Sequence, residues 1–178
     1  MAVNRRMFVA GACCAGAALV AGVSLKAAPP SVAPAGAEAP AFARERFLSH
    51  WNCTQAVLEA LGPTAGLTPE AVTRVTTPFA AGMWSGLTCG AVTGAMMALG
   101  MRYGRDSDGA SPEAVKLRVR QLVAAMKGEF GNLDCSALLG TDMATDAGIQ
   151  EAAGKGLFKS KCPLLVEAAA REALKLMS

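Results

Sequence analysis

The sequence predicts an all-α fold, a single-domain bundle of about five helices that follows an N-terminal export signal and linker. Alanine is abundant and runs of β-branched residues are scarce, which favours helices over strands. From residue 52 onward, apolar residues recur at helical spacing in segments bounded by capping residues, glycine or proline. The chain of 178 residues is long enough for one domain with a hydrophobic core.

The net charge of +3 comes entirely from the N-terminal segment. Residues 1–37 contain three basic residues and no acidic one, so the remainder of the chain is neutral. This balance argues against nucleic acid as a partner. The chain has a single histidine, His50, so it cannot form a metal site built from several histidines. His50 either tunes a nearby thiol or is an ordinary surface or hydrogen-bonded residue.

Residues 1–37 are predicted to be a twin-arginine-type signal peptide and linker. Arg5 and Arg6 precede an apolar stretch, and this pattern resembles a signal for the twin-arginine translocase. An ordinary secretory signal and an uncleaved anchor are the alternatives. Small residues suited to cleavage stand at Ala28, Ala35 and Ala37.

The predicted destination is the periplasm, with a membrane tether if the signal is not cleaved. Cys13 and Cys14 lie inside the signal and would be lost on cleavage. The Pro/Ala-rich stretch 27–40 is predicted to be a flexible linker. The mature domain, 41–178, is not expected to span a membrane.

The first helices are predicted from their capping residues. A short helix over 41–48 is followed by Asn52, which can cap a helix running to Leu61. Cys53 lies on the apolar face of this helix, and Gly62 with the following proline ends it.

Thr68-Pro69-Glu70 predicts the next helix start, with threonine as the cap and proline at the first helical position. Pro78 must bend or end this helix. The residues expected to face inward are Val72, Val75 and Phe79.

A glycine-containing loop over 81–88 leads into a helix that ends at Gly104, with Cys89 in its first turn. A row of small residues on this helix should let another backbone approach closely. The row consists of Gly90, Gly94 and Ala98.

The remaining helices begin at equally clear signals. Ser111-Pro112-Glu113 starts a long helix, and Asp134 caps a short one over 135–139. The polar stretch 141–161 is left unassigned. Proline favours the first helical position, so Cys162, which precedes a proline, falls at the cap of the last helix.

Four cysteines therefore lie at four predicted helix starts. The backbone N–H groups and dipole of a helix N-terminus favour a thiolate, the form that attacks disulfides and binds metals. We accordingly expect the four thiols to converge on one site with Cys89 at its centre. The four are Cys53, Cys89, Cys135 and Cys162.

This arrangement resembles the C_GCAxxG_C_C family of redox-active proteins, which carry a Cys-Gly-Ala-x-x-Gly motif and four cysteines. The resemblance covers residues 52–174 and implies redox chemistry at the cysteines without naming a substrate or a redox partner protein. The motif matches at Cys89, Gly90, Ala91 and Gly94, and the other family cysteines match at Cys53, Cys135 and Cys162.

Three functions remain open for the four cysteines. The first is a thiol/disulfide redox site with one or two reversible pairs, whose pairing the sequence cannot choose. The second is an iron–sulfur cluster or metal bound for electron transfer, although the cysteine spacing matches neither ferredoxins nor zinc ribbons. The third is a periplasmic helical binding module stapled by permanent disulfides.

Overall fold

The structure is a computed structural model that describes residues 36–62 and 67–178. The predicted signal peptide and most of the predicted linker, residues 1–35, lie outside the described residues. In the described ranges the regular structure is helical apart from one isolated β-bridge, which confirms the all-α prediction. The α-helices are α1 (Ala39–His50), α2 (Cys53–Leu61), α3 (Pro69–Thr76), α4 (Gly90–Tyr103), α5 (Glu113–Phe130), α6 (Cys135–Leu139), α7 (Asp146–Gly154), α8 (Leu157–Ser160) and α9 (Cys162–Met177).

Five of these helices form the bundle, as predicted. Helix α2 packs against α1, α4 and α9, while α5 packs against α4 and α9. Their facing sides supply the largest fully buried side chains of the core, among them Phe47, Leu58, Leu99, Leu122, Met126 and Val166.

The predicted caps account for the helix starts on either side of the gap at 63–66. The Asn52 side chain accepts a hydrogen bond from the N–H of Gln55 at 3.0 Å, and the Thr68 hydroxyl accepts one from Ala71 at 3.2 Å. Each bond satisfies one N–H that has no partner within its own helix. These caps fix where α2 and α3 begin.

Three local predictions differ from the structure. Helix α1 begins at Ala39, inside the predicted linker, with proline in its first turn. Val75 is 44 % exposed, because Val72 and Thr76 occupy the inner face of α3. The unassigned stretch 141–161 contains α7 and α8.

A polar network joins α1 to α2 through the carboxylate of Glu59. This carboxylate accepts hydrogen bonds from Arg46 Nε at 2.6 Å and Gln55 Nε2 at 2.8 Å, and it lies 3.2 Å from His50 Nε2. Burial alone would raise the pKa of Glu59, but the hydrogen bonds from His50, Arg46 and Gln55 outweigh it and lower the pKa to about 2. The network therefore stabilises the ionised carboxylate.

We expect Glu59→Gln to lower the free energy of unfolding at pH 7 by about 1 to 3 kcal/mol. A depressed carboxyl pKa contributes stability above the pKa of the unfolded chain, about 4.3, and this contribution is lost as the pH falls toward 2. Urea unfolding from pH 7 to pH 2 measures the difference between the wild type and the variant, which should shrink below pH 5. Glu45→Gln on the exposed side of α1 is the control. A difference that is constant with pH would contradict this assignment.

Candidate thiol site

Cys53, Cys89, Cys135 and Cys162 are all buried and all free thiols. Cys53 lies at the start of α2 and Cys89 immediately precedes α4, so the contact between these two helices decides how close the thiols come. The two thiols lie close enough to interact, and a hydrogen bond between them is the largest cause that raises the pKa of Cys53 and lowers that of Cys89.

Glycine at two positions of α4 permits this close approach. A Cβ atom at Gly94 would lie 2.6 Å from the carbonyl oxygen of Thr54, and one at Gly90 would lie 2.7 Å from the Thr54 hydroxyl. Neither distance is compatible with a side chain at the present helix separation. The expectation that the small residues of α4 admit another backbone is correct, and that backbone belongs to α2.

Thr54 is a site residue that the sequence analysis missed. Its fully buried hydroxyl lies 2.9 Å from the carbonyl oxygen of Gly90 and 3.2 Å from that of Phe79. It therefore ties the start of α2 to the start of α4. A threonine beside a cysteine on a core helix gives no sequence signal of this role.

A short backbone bridge brings the start of α6 beside the start of α4. Thr88 and Asp134 form an isolated antiparallel pair. The Cys89 N–H donates to the carbonyl of Leu133, and the Cys135 N–H donates to the carbonyl of Leu87, both at 2.7 Å. Cys89 therefore lies opposite Leu133 and Cys135 opposite Leu87, so the bridge places the two cysteines diagonally across from each other on the same face.

The cysteines differ from the prediction in their positions at the helix starts. Cys89 is the N-cap of α4 rather than part of its first turn, since its backbone is extended with φ −52° and ψ 133°. Cys162 is the first residue of α9 rather than its cap, because the preceding Lys161 already has helical backbone angles. Cys53 and Cys135 begin α2 and α6 as expected.

The helix starts do not activate all four thiols. The hydrogen bond from Cys53 and the backbone N–H groups of Ala91 and Val92 lower the pKa of Cys89 against the opposing effect of burial. The same hydrogen bond, together with burial, raises the pKa of Cys53 well above its usual value. Among the four cysteines, only Cys89, which is an N-cap residue, has several hydrogen-bond donors at its sulfur.

The other two thiols are also held in the protonated form. Burial, followed by the negative charge of Cys89, raises the pKa of Cys162 to about 12. Burial is also the main cause that raises the pKa of Cys135, with Cys89 and Cys162 adding to it. The site thus contains one favoured thiolate among three thiols.

A pocket of about 200 Å³ opens onto these thiols. Cys53, Cys135 and Cys162 line it, whereas Cys89 does not. The remaining lining side chains are apolar or aromatic. They come from α1 and its C-cap, the 80–84 segment, and the stretch from α6 to α8: Phe47, Trp51, Ala80, Ala81, Trp84, Leu139, Met143, Ile149 and Phe158. The structure therefore brings all four predicted cysteines together. Most of the apolar wall was missed, and three of its nine residues, Met143, Ile149 and Phe158, come from the unassigned stretch.

A family model described as "Putative redox-active protein (C_GCAxxG_C_C)" matches residues 51–176, which is well over half of the chain. The chain belongs to the C_GCAxxG_C_C family. Searches of the curated proteins and of the solved structures gave no significant match.

The family motif has a structural meaning in this C_GCAxxG_C_C protein. Gly90 and Gly94 are the two positions at which α2 leaves no space for a side chain. Ala91, which is fully buried, supplies one of the backbone N–H groups that stabilise the Cys89 thiolate. The motif thus provides a thiolate, its donors and the contact that brings Cys53 to it.

The four sulfurs do not form a ligand set for a metal. Within residues 36–62 and 67–178, no three His, Cys, Asp or Glu side chains are placed so that they could hold a metal ion together. This arrangement does not fit the iron–sulfur alternative as it stands. A hydrogen-bonded pair with two neighbouring thiols fits disulfide chemistry better.

His50, whose role the sequence left open, and Trp84 both have clear positions. His50 contacts Glu59 and accepts a hydrogen bond from the Asn52 N–H at 3.2 Å, so it belongs to the polar network of α1 and α2. Trp84 lines the pocket, and its indole N–H donates to the carbonyl of Thr77 at 3.1 Å. Trp84 therefore both borders the site and anchors its loop.

The helices of the described part lack the features of a membrane span. None of them is both long enough and apolar enough to cross a bilayer.

Proposed function

We propose that this protein is an exported thiol/disulfide redox protein in which Cys53 and Cys89 form a reversible disulfide. The observation that carries the proposal is the close contact of α2 with α4 at Gly90 and Gly94, which brings two buried free thiols together. The interaction between them lowers the pKa of Cys89 and raises that of Cys53. A dithiol that shares one proton in this way is prepared for disulfide exchange.

The pocket determines which sulfur meets the substrate. Cys53 borders the pocket, whereas Cys89 is 3 % exposed and does not line it. Movement of the shared proton from Cys53 to Cys89 places the thiolate at the pocket. Cys53 is therefore the attacking thiol and Cys89 the resolving thiol.

Exchange with a disulfide-containing partner takes place in two steps. The Cys53 thiolate attacks one sulfur of the partner disulfide, forms a mixed disulfide and releases the other partner sulfur as a thiolate. That thiolate takes the proton of Cys89, and Cys89 then attacks the Cys53 sulfur. The products are the Cys53–Cys89 disulfide and a partner dithiol carrying one proton, so two electrons move to the partner.

Cys135 and Cys162 form a second, slower pair in this proposal. Their pKa values are raised by burial and additionally by the charge on Cys89. Oxidation of the first pair removes that charge, which brings both pKa values down. The two pairs are then oxidised in order.

Disulfide mapping in dithiothreitol redox buffers tests the proposal. The protein is equilibrated over a range of oxidised to reduced dithiothreitol, its free thiols are blocked with N-ethylmaleimide, and its peptides are identified by mass spectrometry. We expect a Cys53–Cys89 disulfide that forms first and disappears on reduction, and no such disulfide in Cys89→Ser. The proposal is wrong if another pair forms first, or if the bond resists reduction as a structural staple would.

The location is a separate part of the proposal and is supported by Arg5 and Arg6 ahead of an apolar stretch. Replacing both arginines with lysine should leave the precursor inside the cell, because the twin-arginine translocase requires the pair. Cell fractionation with antibody detection measures this. A doubly substituted protein that still reaches the periplasm would rule out this export route.

A further inference from the structure

The pocket beside the thiols has an unusual lining for a site that is expected to meet a protein disulfide. Both tryptophans of the chain and two of its six phenylalanines border it. Among the residues that the structure describes, no charged side chain contributes to its wall. Transfer of a charged group into such surroundings is costly, so the pocket selects an uncharged occupant.

The aromatic side chains give the wall a defined shape. The rings of Phe47 and Trp51 meet edge to face, with centroids 5.7 Å apart and an interplanar angle of 80°. The indole N–H of Trp84 is bonded to the backbone of Thr77, which fixes that ring on the wall. Trp51 and Trp84 are nevertheless 47 % and 54 % exposed, so the aromatic faces are accessible from solvent.

The size of the pocket limits the occupant to one ring. Pockets for drug-sized ligands measure roughly 300 to 1,000 Å³, while an apolar cavity of roughly 150 Å³ holds benzene. The present volume of about 200 Å³ is larger than the benzene-sized cavity and smaller than a pocket for a drug-sized ligand. A single substituted aromatic ring fits this space.

We propose that the pocket binds a small uncharged aromatic molecule with one ring, and that a quinone of this size can oxidise the Cys53–Cys89 pair in place of a partner disulfide. The redox step rests on the proposed function, whereas binding of the ring does not. The Cys53 thiolate and the Cys89 thiol supply two electrons and one proton, and solvent supplies a second proton. The quinone becomes a hydroquinone, and one sulfur–sulfur bond forms.

The two tryptophans provide a direct test of binding. Their two indole N–H signals in a proton–nitrogen correlation NMR spectrum both report on the pocket, since the chain has no third tryptophan. Titration with p-cresol should shift both signals with a Kd below about 1 mM. The charged p-toluate, which has a ring of the same size, should bind at least tenfold more weakly.

A pair of alanine substitutions locates the bound ring. Ala80→Leu fills the pocket and should weaken p-cresol binding at least tenfold. Ala137→Leu adds the same group at an exposed position of α6 and should leave binding unchanged. If Ala80→Leu fails to fold, the comparison of p-cresol with p-toluate on the wild type still decides.

Anaerobic reaction of the reduced protein with duroquinone tests the redox step. This fully substituted quinone resists addition of thiols to its ring, so loss of thiols reports oxidation. We expect one hydroquinone for each Cys53–Cys89 disulfide formed, and inhibition by p-cresol but not by p-toluate.

The results of these experiments distinguish binding of the ring, the role of the quinone and the proposed function from one another. Binding is overturned if neither aromatic shifts the indole signals, or if p-toluate shifts them as p-cresol does. If p-cresol binds and oxidised dithiothreitol forms the disulfide while duroquinone does not, the quinone role is wrong and the proposed function stands. The pocket would then receive an aromatic side chain of a partner protein. If neither oxidant forms the disulfide, the proposed function and the quinone role both fail, whereas the p-cresol result still decides the binding.

Discussion

Replacing Cys53 with alanine is expected to raise the pKa of Cys89 and to slow its alkylation at pH 7 by roughly tenfold or more. The hydrogen bond from Cys53 is the largest cause that lowers the Cys89 pKa, ahead of the backbone donors of Ala91 and Val92. Without it, burial opposes ionisation more effectively, and the thiolate forms only at higher pH. The midpoint of a pH–rate profile with iodoacetamide measures the change, because that midpoint does not depend on access to the sulfur.

Cys53→Ser is the matched control for this variant. Its hydroxyl keeps a hydrogen-bond donor at the same position, so the midpoint should lie between those of the wild type and Cys53→Ala. Mass spectrometry of the peptides assigns the alkylation to Cys89. An alanine variant with an unchanged midpoint would show that the backbone donors alone set the pKa of Cys89. The proposal that Cys53 and Cys89 share a proton would then be wrong.

The second large effect is expected from Gly94→Ala, which should lower the free energy of unfolding by about 2 to 3 kcal/mol. The added Cβ would lie 2.6 Å from the backbone carbonyl of Thr54 and 3.1 Å from Val57 Cβ. Helices α2 and α4 would have to separate, since neither atom can move aside alone. The separation should also break the contact between Cys53 and Cys89.

Gly100→Ala on the same helix provides the opposite control. A Cβ there meets nothing within 4 Å, so alanine should stabilise the protein by about 0.5 to 1 kcal/mol through its higher helix propensity. Urea unfolding measures both variants, and the dithiothreitol equilibrium shows whether the first disulfide still forms. The loss of stability in Gly94→Ala should exceed the gain in Gly100→Ala. A Gly94→Ala protein as stable as Gly100→Ala would contradict the close contact.

The parts of the fold that the sequence predicted depend on local signals. Asn52 and Thr68 cap their helices because a side chain and a nearby N–H suffice for the bond. The four-residue spacing of Gly90 and Gly94 predicted a close helix contact, because residues four apart share one face. The same spacing could not identify α2 as the partner.

The remainder depends on contacts between distant parts of the chain. The Thr88–Asp134 bridge pairs two residues that share no local pattern, so nothing in either segment predicts it. Helices α7 and α8 were missed because glycine and polar residues interrupt their apolar spacing. The helix-start argument correctly favoured a thiolate at Cys89, but burial, which depends on the whole fold, decided against it at Cys135 and Cys162.

The distribution of the site over the chain has a consequence for how the protein matures. Cys53 enters the fold with α2, whereas Cys162 opens α9, which is synthesised after all the other helices that the structure describes. Contacts this far apart form late, since the intervening chain must first be ordered. During synthesis the N-terminal thiols exist without their partners. In the proposed function the pocket and the second pair both need Cys162, so they are complete only after α9 has docked, and oxidation of the second pair would report that docking.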